Sequence, residues 1–299
     1  MTQAQINCFI AVAEYRSFSD AAKHLYISQP AVSRQVSQLE SEFGFPLFDR
    51  SQRKIDLTPA GAVMYELFSK FSSDYRAAFS KAMELAGTKQ ATVSIGWLEG
   101  WDMSLFYGQM TDYFAVRHPD ITLELEGYSF ADMMPAMKRG KADLLISLGS
   151  SLRDYSELET AELTTTGGII LLSREHPLAS KPDLAWEDFK DETFLSINEP
   201  DGKRNTSGFT RQECLRHGFE PEVLNVPSVS NAFLRMQSNN CVFFVDDWLA
   251  IKSSPLLRYI EVDSVFDIAI GWLPTADEAT KLVASELINF FRNKFEPKT

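Results

Sequence analysis

Between Pro59 and Gly87, seven side chains recur at spacings of four and three residues: Met64, Phe68, Phe71, Tyr75, Ala78, Ala82 and Leu85. Such alternation keeps one stripe of a helix apolar from end to end. Thr58-Pro59 offers a capping hydroxyl and a first-turn proline, and Gly87 a stop. At 1.5 Å per residue the helix runs to about 40 Å, longer than a small domain is wide. A heptad seam of that length is the pattern of a helix paired with a second helix, so a homo-oligomer is expected. The helix also divides the 299-residue chain into an N-terminal part, residues 1–58, a linker and dimerisation helix, residues 59–88, and a C-terminal part, residues 89–299.

In the N-terminal part Ile6, Phe9, Ile10 and Ala13 share one helical face. Ser19 is placed to cap a short second helix that ends near Leu25. The turn Tyr26-Ile27-Ser28 leads into a third helix, where Ser28 can cap and Pro30 sits in the first turn, its missing N–H costing nothing there. Val32, Val36, Leu39 and Phe43 give this helix its core face, and Gly44 ends it. Leu47-Phe48 and the alternating Ile55/Leu57 flank a basic tip, Ser51-Gln52-Arg53-Lys54, which predicts a hairpin wing. Opposite its core face the third helix presents Ser28, Gln29, Pro30, Ser33, Arg34 and Ser37. These are side chains that read DNA bases: glutamine pairs with adenine, arginine with guanine or phosphate, and proline packs on a thymine methyl. Arg53 and Lys54 suit backbone or minor-groove contact, while Arg50 either joins them or braces the wing through an ion pair.

From Thr92 onward strand-like runs (92–98, 121–126, 143–148, 168–172, 193–197, 222–226 and 242–245) alternate with helical stretches around 105–116, 130–138, 206–217 and 231–237. That order predicts βαβ units and mostly parallel sheet. It also predicts two subdomains facing a crevice, the first about 89–163 with 268–299 and the second about 164–267. The expected fold is multidomain: an all-α winged helix-turn-helix DNA-binding domain, a long linker helix, and an α/β domain of two subdomains.

Ligands of open α/β sheets lie beyond the carboxyl ends of strands. Here those ends carry Trp97, Glu99, Trp101, Asp102, Leu148, Asn198, Glu199, Asp201, Asp246 and Asp247. A crevice rich in tryptophan and carboxylate and poor in arginine repels a small carboxylate. It suits a cationic, neutral or aromatic effector, to which Trp97 or Trp101 offers a π face.

Five segments stand in an order and spacing that resemble the DNA-binding signature of the LysR-type transcriptional regulators (LTTR): Phe18-Ser19-Asp20-Ala21-Ala22, Ser28-Gln29-Pro30-Ala31-Val32-Ser33-Arg34-Gln35, Leu39-Glu40, Leu47-Phe48-Asp49-Arg50 and Leu57-Thr58-Pro59-Ala60-Gly61. The resemblance is dense over 1–65 and looser over 90–299, where Gly140-Lys141-Ala142-Asp143-Leu144 and His176-Pro177-Leu178-Ala179 resemble the family's effector domain. Where many relatives carry a glycine-rich turn and an apolar strand ending in proline, this chain has Asn239-Asn240-Cys241-Val242-Phe243-Phe244-Val245-Asp246-Asp247. The resemblance implies a homodimer or dimer of dimers on interrupted palindromic operators in double-stranded DNA. It further implies a small-molecule effector between two periplasmic-binding-protein-like subdomains, and leaves room for RNA polymerase as a partner.

A net charge of −12 argues against nucleic acid until its distribution is read. Residues 1–58 hold six basic and six acidic side chains, and the deficit lies in 89–299, with 20 basic against 32 acidic. Local charge governs the approach to DNA, so the objection weakens. No apolar run approaches the ~20 residues of a membrane helix. Residues 1–13 lack the basic-then-apolar order of a secretory signal, so a cytoplasmic protein without membrane contact is expected. The four histidines show no metal spacing, and Cys214 with His217 is only a pair on one helix face. GxGxxG, P-loop and GxSxG patterns are missing, so neither an enzyme nor a cofactor or metal is expected. Two alternatives stay open: a cytoplasmic small-molecule-binding α/β protein with an N-terminal appendage, and a regulator that answers a protein partner or redox state through Cys8 or Cys241.

Overall fold

The computed structural model describes residues 1–25, 27–49, 55–85, 91–197, 207–238 and 241–295. It forms one unit built on Met1–Ala82 and another built on Met83–Met137 and Lys141–Thr299.

The first unit holds α1 (Gln3–Tyr15), α2 (Phe18–His24), α3 (Gln29–Phe43), β1 (Phe48–Asp49), β2 (Asp56–Leu57) and α4 (Pro59–Leu85). Thr2 and Gln5 close a capping box at the start of α1. Helix α2 starts earlier than predicted: the Ser17 hydroxyl, not Ser19, accepts from the Asp20 N–H at 3.2 Å. Ser28 has the extended backbone of an N-cap, but its hydroxyl makes no capping hydrogen bond. Phe9, Val12, Ala21, Val32, Val36, Leu39, Leu47 and Phe48 form the core. The Phe9 ring meets Phe48 and Phe68 at 5.4 and 6.0 Å.

Two devices lock the wing to the helices. The Glu40 carboxylate accepts from the Leu47 and Phe48 N–H groups at 2.8 and 3.2 Å, tying α3 to β1. Thr58 Oγ1 donates to the Pro46 carbonyl at 2.9 Å and accepts from the Gly61 N–H at 2.9 Å, capping α4. A Cβ at Gly61 would stand 2.0 Å from the Leu47 carbonyl oxygen, so the first turn of α4 approaches the wing backbone as closely as only glycine permits.

That close approach corrects the predicted seam. Positions 61, 64 and 68 share a helix face, so Met64 and Phe68 turn inward with Gly61. Phe68 is 3% exposed in the N-terminal core and Met64 packs against it. Among its described side chains, the large apolar ones that α4 exposes are Val63, Leu67 and Phe71, followed by exposed Ala78. Tyr75, Ala82 and Leu85 lie outside the described side chains.

The second unit runs β3 (Ala91–Leu98), α5 (Tyr107–Arg117), β4 (Ile121–Tyr128), α6 (Phe130–Lys138), β5 (Leu144–Leu148), α7 (Gly149–Arg153) and β6 (Glu159–Ser173). It continues through β7 (Thr193–Ile197), α8 (Ser207–Arg216), β8 (Glu222–Val226), α9 (Val229–Ser238), β9 (Cys241–Asp246), β10 (Leu257–Trp272) and α10 (Glu278–Phe295). Its eight strands make one sheet in the order β4-β3-β5-β10-β6-β9-β7-β8. Each half is parallel, β3 pairing with β4 and β5, and β7 with β8 and β9. Between the halves β6 and β10 run antiparallel to each other and to their outer neighbours, so the sheet is mixed, with four parallel pairings and three antiparallel ones among the described residues. Strand β10, the first half of β6 and helix α10 were not among the predicted elements.

The Gly61 contact carries a stability prediction. Gly61→Ala should destabilise the winged unit by about 3 kcal/mol or more, since backbone must move to admit the methyl group. Urea unfolding of the variant and the parent checks this, and equal midpoints would contradict the contact.

Candidate functional site

The first candidate surface is the outer face of α3. With Val32, Val36 and Leu39 fully buried, the 3.6-residue period leaves Gln29, Pro30, Arg34 and Ser37 exposed and Ser33 half-buried. Ser28, exposed at the helix start, has its hydroxyl unspent on capping. Arg34 makes no ion pair among the described residues, so its guanidinium is available to an acceptor outside the protein. Arg50, Arg53 and Lys54 lie outside the described residues.

The second is a cavity of about 710 Å³ in the second unit. The carboxyl ends of the parallel strands supply most of its wall: Glu99-Gly100-Trp101 beyond β3, Leu148 and Ser150 at the end of β5, Ile197 at the end of β7, and Asp246 at the end of β9. Phe266 and Asp267 of β10 and Phe209 of α8 complete it. The loops beyond β3 and β9 are joined by backbone: Asp102 N–H donates to the Trp248 carbonyl and Ala250 N–H to that of Gly100, each at 2.8 Å. The indoles of Trp101 and Trp248 meet edge to face at 5.1 Å beside them.

Asp246 is the unusual member of this wall. It is 5% exposed and accepts from the Trp248 N–H at 3.0 Å. Burial pushes its carboxyl up to about 6, although the Trp101 indole and the Trp248 N–H favour the charged form. Among the described residues it has no ion-pair partner. The Trp101 N–H, also buried, makes no well-aligned hydrogen bond there.

Of the residues predicted for the crevice, Glu99, Trp101, Leu148 and Asp246 line it. Three do not. Trp97 is 5% exposed and packs in the core against Phe106 at 5.2 Å. Asp102 caps a short turn, accepting from the Ser104 N–H and hydroxyl at 3.0 and 2.7 Å. Asp247 pairs with Lys252 at 2.5 Å. Asn198, Glu199 and Asp201 lie outside the described residues. Prediction missed the ring cluster of Phe209, Phe244 and Phe266, with centroids 4.7 to 5.7 Å apart, and the Arg153–Asp267 pair at 2.5 Å. The signal for Phe266 was the inward alternation of Ile260, Val262, Ser264, Phe266 and Ile268.

All three cysteines are buried, and burial pushes each thiol up, Cys214 to about 12. Among the described residues no cluster of potential ligands could hold a metal ion, and no helix is long and apolar enough to cross a membrane.

Comparison with known proteins bears on both surfaces. Residues 4–62 match the bacterial regulatory helix-turn-helix protein, lysR family, and residues 86–296 the LysR substrate binding domain. Similar proteins include the RuBisCO operon transcriptional regulator of Allochromatium vinosum, 27% identical over 219 residues (72% of this chain, 71% of that one). Another is the HTH-type transcriptional regulator BenM of Acinetobacter baylyi, 27% identical over 230 residues (75% and 73%). Among solved structures, CbnR, a LysR family transcriptional regulator, shares the fold with a TM-score of 0.68 at 16% identity, covering 97% of this chain and 99% of that one. CbnR complexed with its target DNA gives 0.65 at 17% identity, covering 97% and 100%.

The buried Asp246 has a pH signature. A carboxyl that holds its proton up to about pH 6, against a usual 3.8, favours the folded state when protonated. That contribution is complete below the unfolded pKa and is lost as pH rises through 6. Asp246→Asn removes the titration, so its stability relative to the parent should rise by up to about 3 kcal/mol between about pH 4 and pH 7. Urea unfolding across that range measures the difference, and a flat one would contradict the raised pKa.

Proposed function

The chain belongs to the LysR family of DNA-binding transcriptional regulators, and we propose that α3 reads its operator through Gln29, Ser33, Arg34 and Ser37, with Ser28 and Pro30 at the helix start. Arg50, Arg53 and Lys54 on the wing then hold flanking phosphates or the minor groove. The observation that carries this reading is the exposed polar face of α3, with Arg34 unpaired among the described residues, over a fully packed core face.

In this reading residues 1–58 bind DNA, 59–88 link and dimerise, and 89–299 sense the effector, with subdomains of about 89–163 plus 268–299 and about 164–267. Two copies pair along the stripe of Val63, Leu67, Phe71 and Ala78 that α4 exposes. Pairing sets two recognition helices in successive major grooves, about 34 Å apart. The effector sits between the subdomains and shifts the oligomer between two packings, which requires different affinity for each. The protein works in the cytoplasm as a homodimer or dimer of dimers, with RNA polymerase as a downstream partner, and without catalysis. The redox alternative is disfavoured by three buried thiols held in the protonated, unreactive form.

Two measurements test this. In affinity selection of fragmented genomic DNA, the parent should enrich a few promoters sharing an interrupted inverted repeat. Arg34→Ala should lose that enrichment by about tenfold or more while melting normally. Equal retention of DNA by both, only at low salt, would mean nonspecific binding and remove α3 from operator reading. Leu67→Lys should lower the mass found by light scattering, and an unchanged mass would move the dimer interface off this stripe.

A further inference from the structure

The crevice wall is asymmetric in charge. Its one described cation, Arg153, is spent on Asp267 at 2.5 Å. Three carboxylates of the same wall, Glu99, Asp154 and Asp246, pair with no cation among the described residues. Glu99 and Asp154 are exposed and water can solvate them. Asp246 cannot be explained that way: it is 5% exposed, and a carboxylate with room for about four hydrogen bonds receives one well-formed bond from the Trp248 N–H.

Buried charges in proteins are paired or coordinated, because desolvation alone costs several kcal/mol. The neighbouring Asp247, whose side chain is 41% exposed, is paired with Lys252 all the same. Asp246 breaks the rule at the end of a strand whose Phe244, two residues earlier and on the same side, belongs to the ring cluster with Phe209 and Phe266. A carboxylate without a counter-cation therefore stands next to a ring-lined apolar space.

We infer that the effector is an amine with an apolar, ring-sized body, its ammonium group pairing with Asp246 and its body packing on Phe209, Phe244 and Phe266. This rests on the reading of the crevice as the effector site. A carboxylate effector would meet Glu99, Asp154 and Asp246 with only Arg153, already paired with Asp267, as a cation among the described residues, whereas an amine supplies the missing counter-charge.

The test uses the full-length protein and three matched probes, 2-phenylethylamine, 2-phenylethanol and 3-phenylpropionate, followed by tryptophan fluorescence, since Trp101 stands in the wall. The amine should bind at least about tenfold more tightly than the alcohol, and the carboxylate most weakly. Asp246→Asn should erase the amine's advantage while keeping the alcohol's affinity. A second readout needs no variant. Asp246 holds its own proton up to about pH 6, so the amine must displace that proton at lower pH. Its affinity should rise from about pH 5 to about pH 7.5, and the alcohol's should not. The other charged groups of the wall are Glu99, Arg153, Asp154 and Asp267, with Asp247 and Lys252 behind Asp246; no described histidine lines it. An amine held no more tightly than the carboxylate, an affinity flat with pH, or no amine binding at millimolar concentration would each overturn the inference. Ser150→Trp, which sets an indole in the cavity, separates the two levels. Amine binding that survives it refutes the crevice as effector site, whereas tight carboxylate binding that it abolishes overturns only the amine.

Discussion

Strands β6 and β10 are paired from Ser173 opposite Leu257 to Glu159 opposite Trp272, and each runs through both halves of the effector domain. At one end β10 also pairs with β5, and at the other β6 also pairs with β9. Each half-sheet is thereby hydrogen-bonded to a strand that belongs equally to its neighbour. A slip of one residue would turn every inward side chain outward in both halves at once, so the register is held by two cores together. Register shifts fall between Val262 and Val265 and between Ile268 and Ala269, on either side of the crevice residues Phe266 and Asp267. Bulges raise local twist and bend a strand, which is what a pair joining two half-sheets requires. The crevice follows from this pairing, because it brings the carboxyl ends of two parallel half-sheets to face one another.

The winged unit was largely legible in the sequence because its signals are local. Caps, a first-turn proline and 3.6-residue faces act within a few residues, and they located α1, α3 and the start of α4. They failed where a choice depended on distant backbone. Heptad spacing finds an apolar stripe on α4 but cannot tell which of two stripes the helix keeps for its own domain. The contact between Gly61 and the Leu47 carbonyl decides it, handing Met64 and Phe68 to the core and leaving Val63, Leu67 and Phe71 outside. The alternation of β10 was present, but Asp263-Ser264 interrupts its apolar reading at the point where the strand passes between halves.

In the crevice the same division holds. The rule that ligands sit beyond strand ends located Glu99, Trp101, Leu148 and Asp246, since each stands at or within a few residues of the carboxyl end of a parallel strand. It could not locate Phe209 or Phe266, which reach the cavity from a helix and from an antiparallel strand. Nor could it separate Trp97 from Trp101. Trp97 is still inside β3 and packs into the core, whereas Trp101 stands past the strand in the loop whose Gly100 carbonyl accepts from the Ala250 N–H.

Those loop hydrogen bonds bear on how sensing can move anything. Besides the two shared strands, the halves are tied by Asp102 to Trp248 and by Ala250 to Gly100. Relative motion must then either twist β6 and β10 or break these two bonds, each worth roughly 1 kcal/mol net. A ligand shifts such an equilibrium only by its difference in affinity between the two arrangements. Carrying a population from one extreme to the other takes about 5.5 kcal/mol. Apolar contact with one half contributes equally to both arrangements. A group that must touch both halves at once does not, and Asp246 on β9, beside Trp101 from the loop beyond β3, is where the two halves meet around one buried charge. In the proposed reading, an effector that pairs with Asp246 therefore acts where the two halves meet.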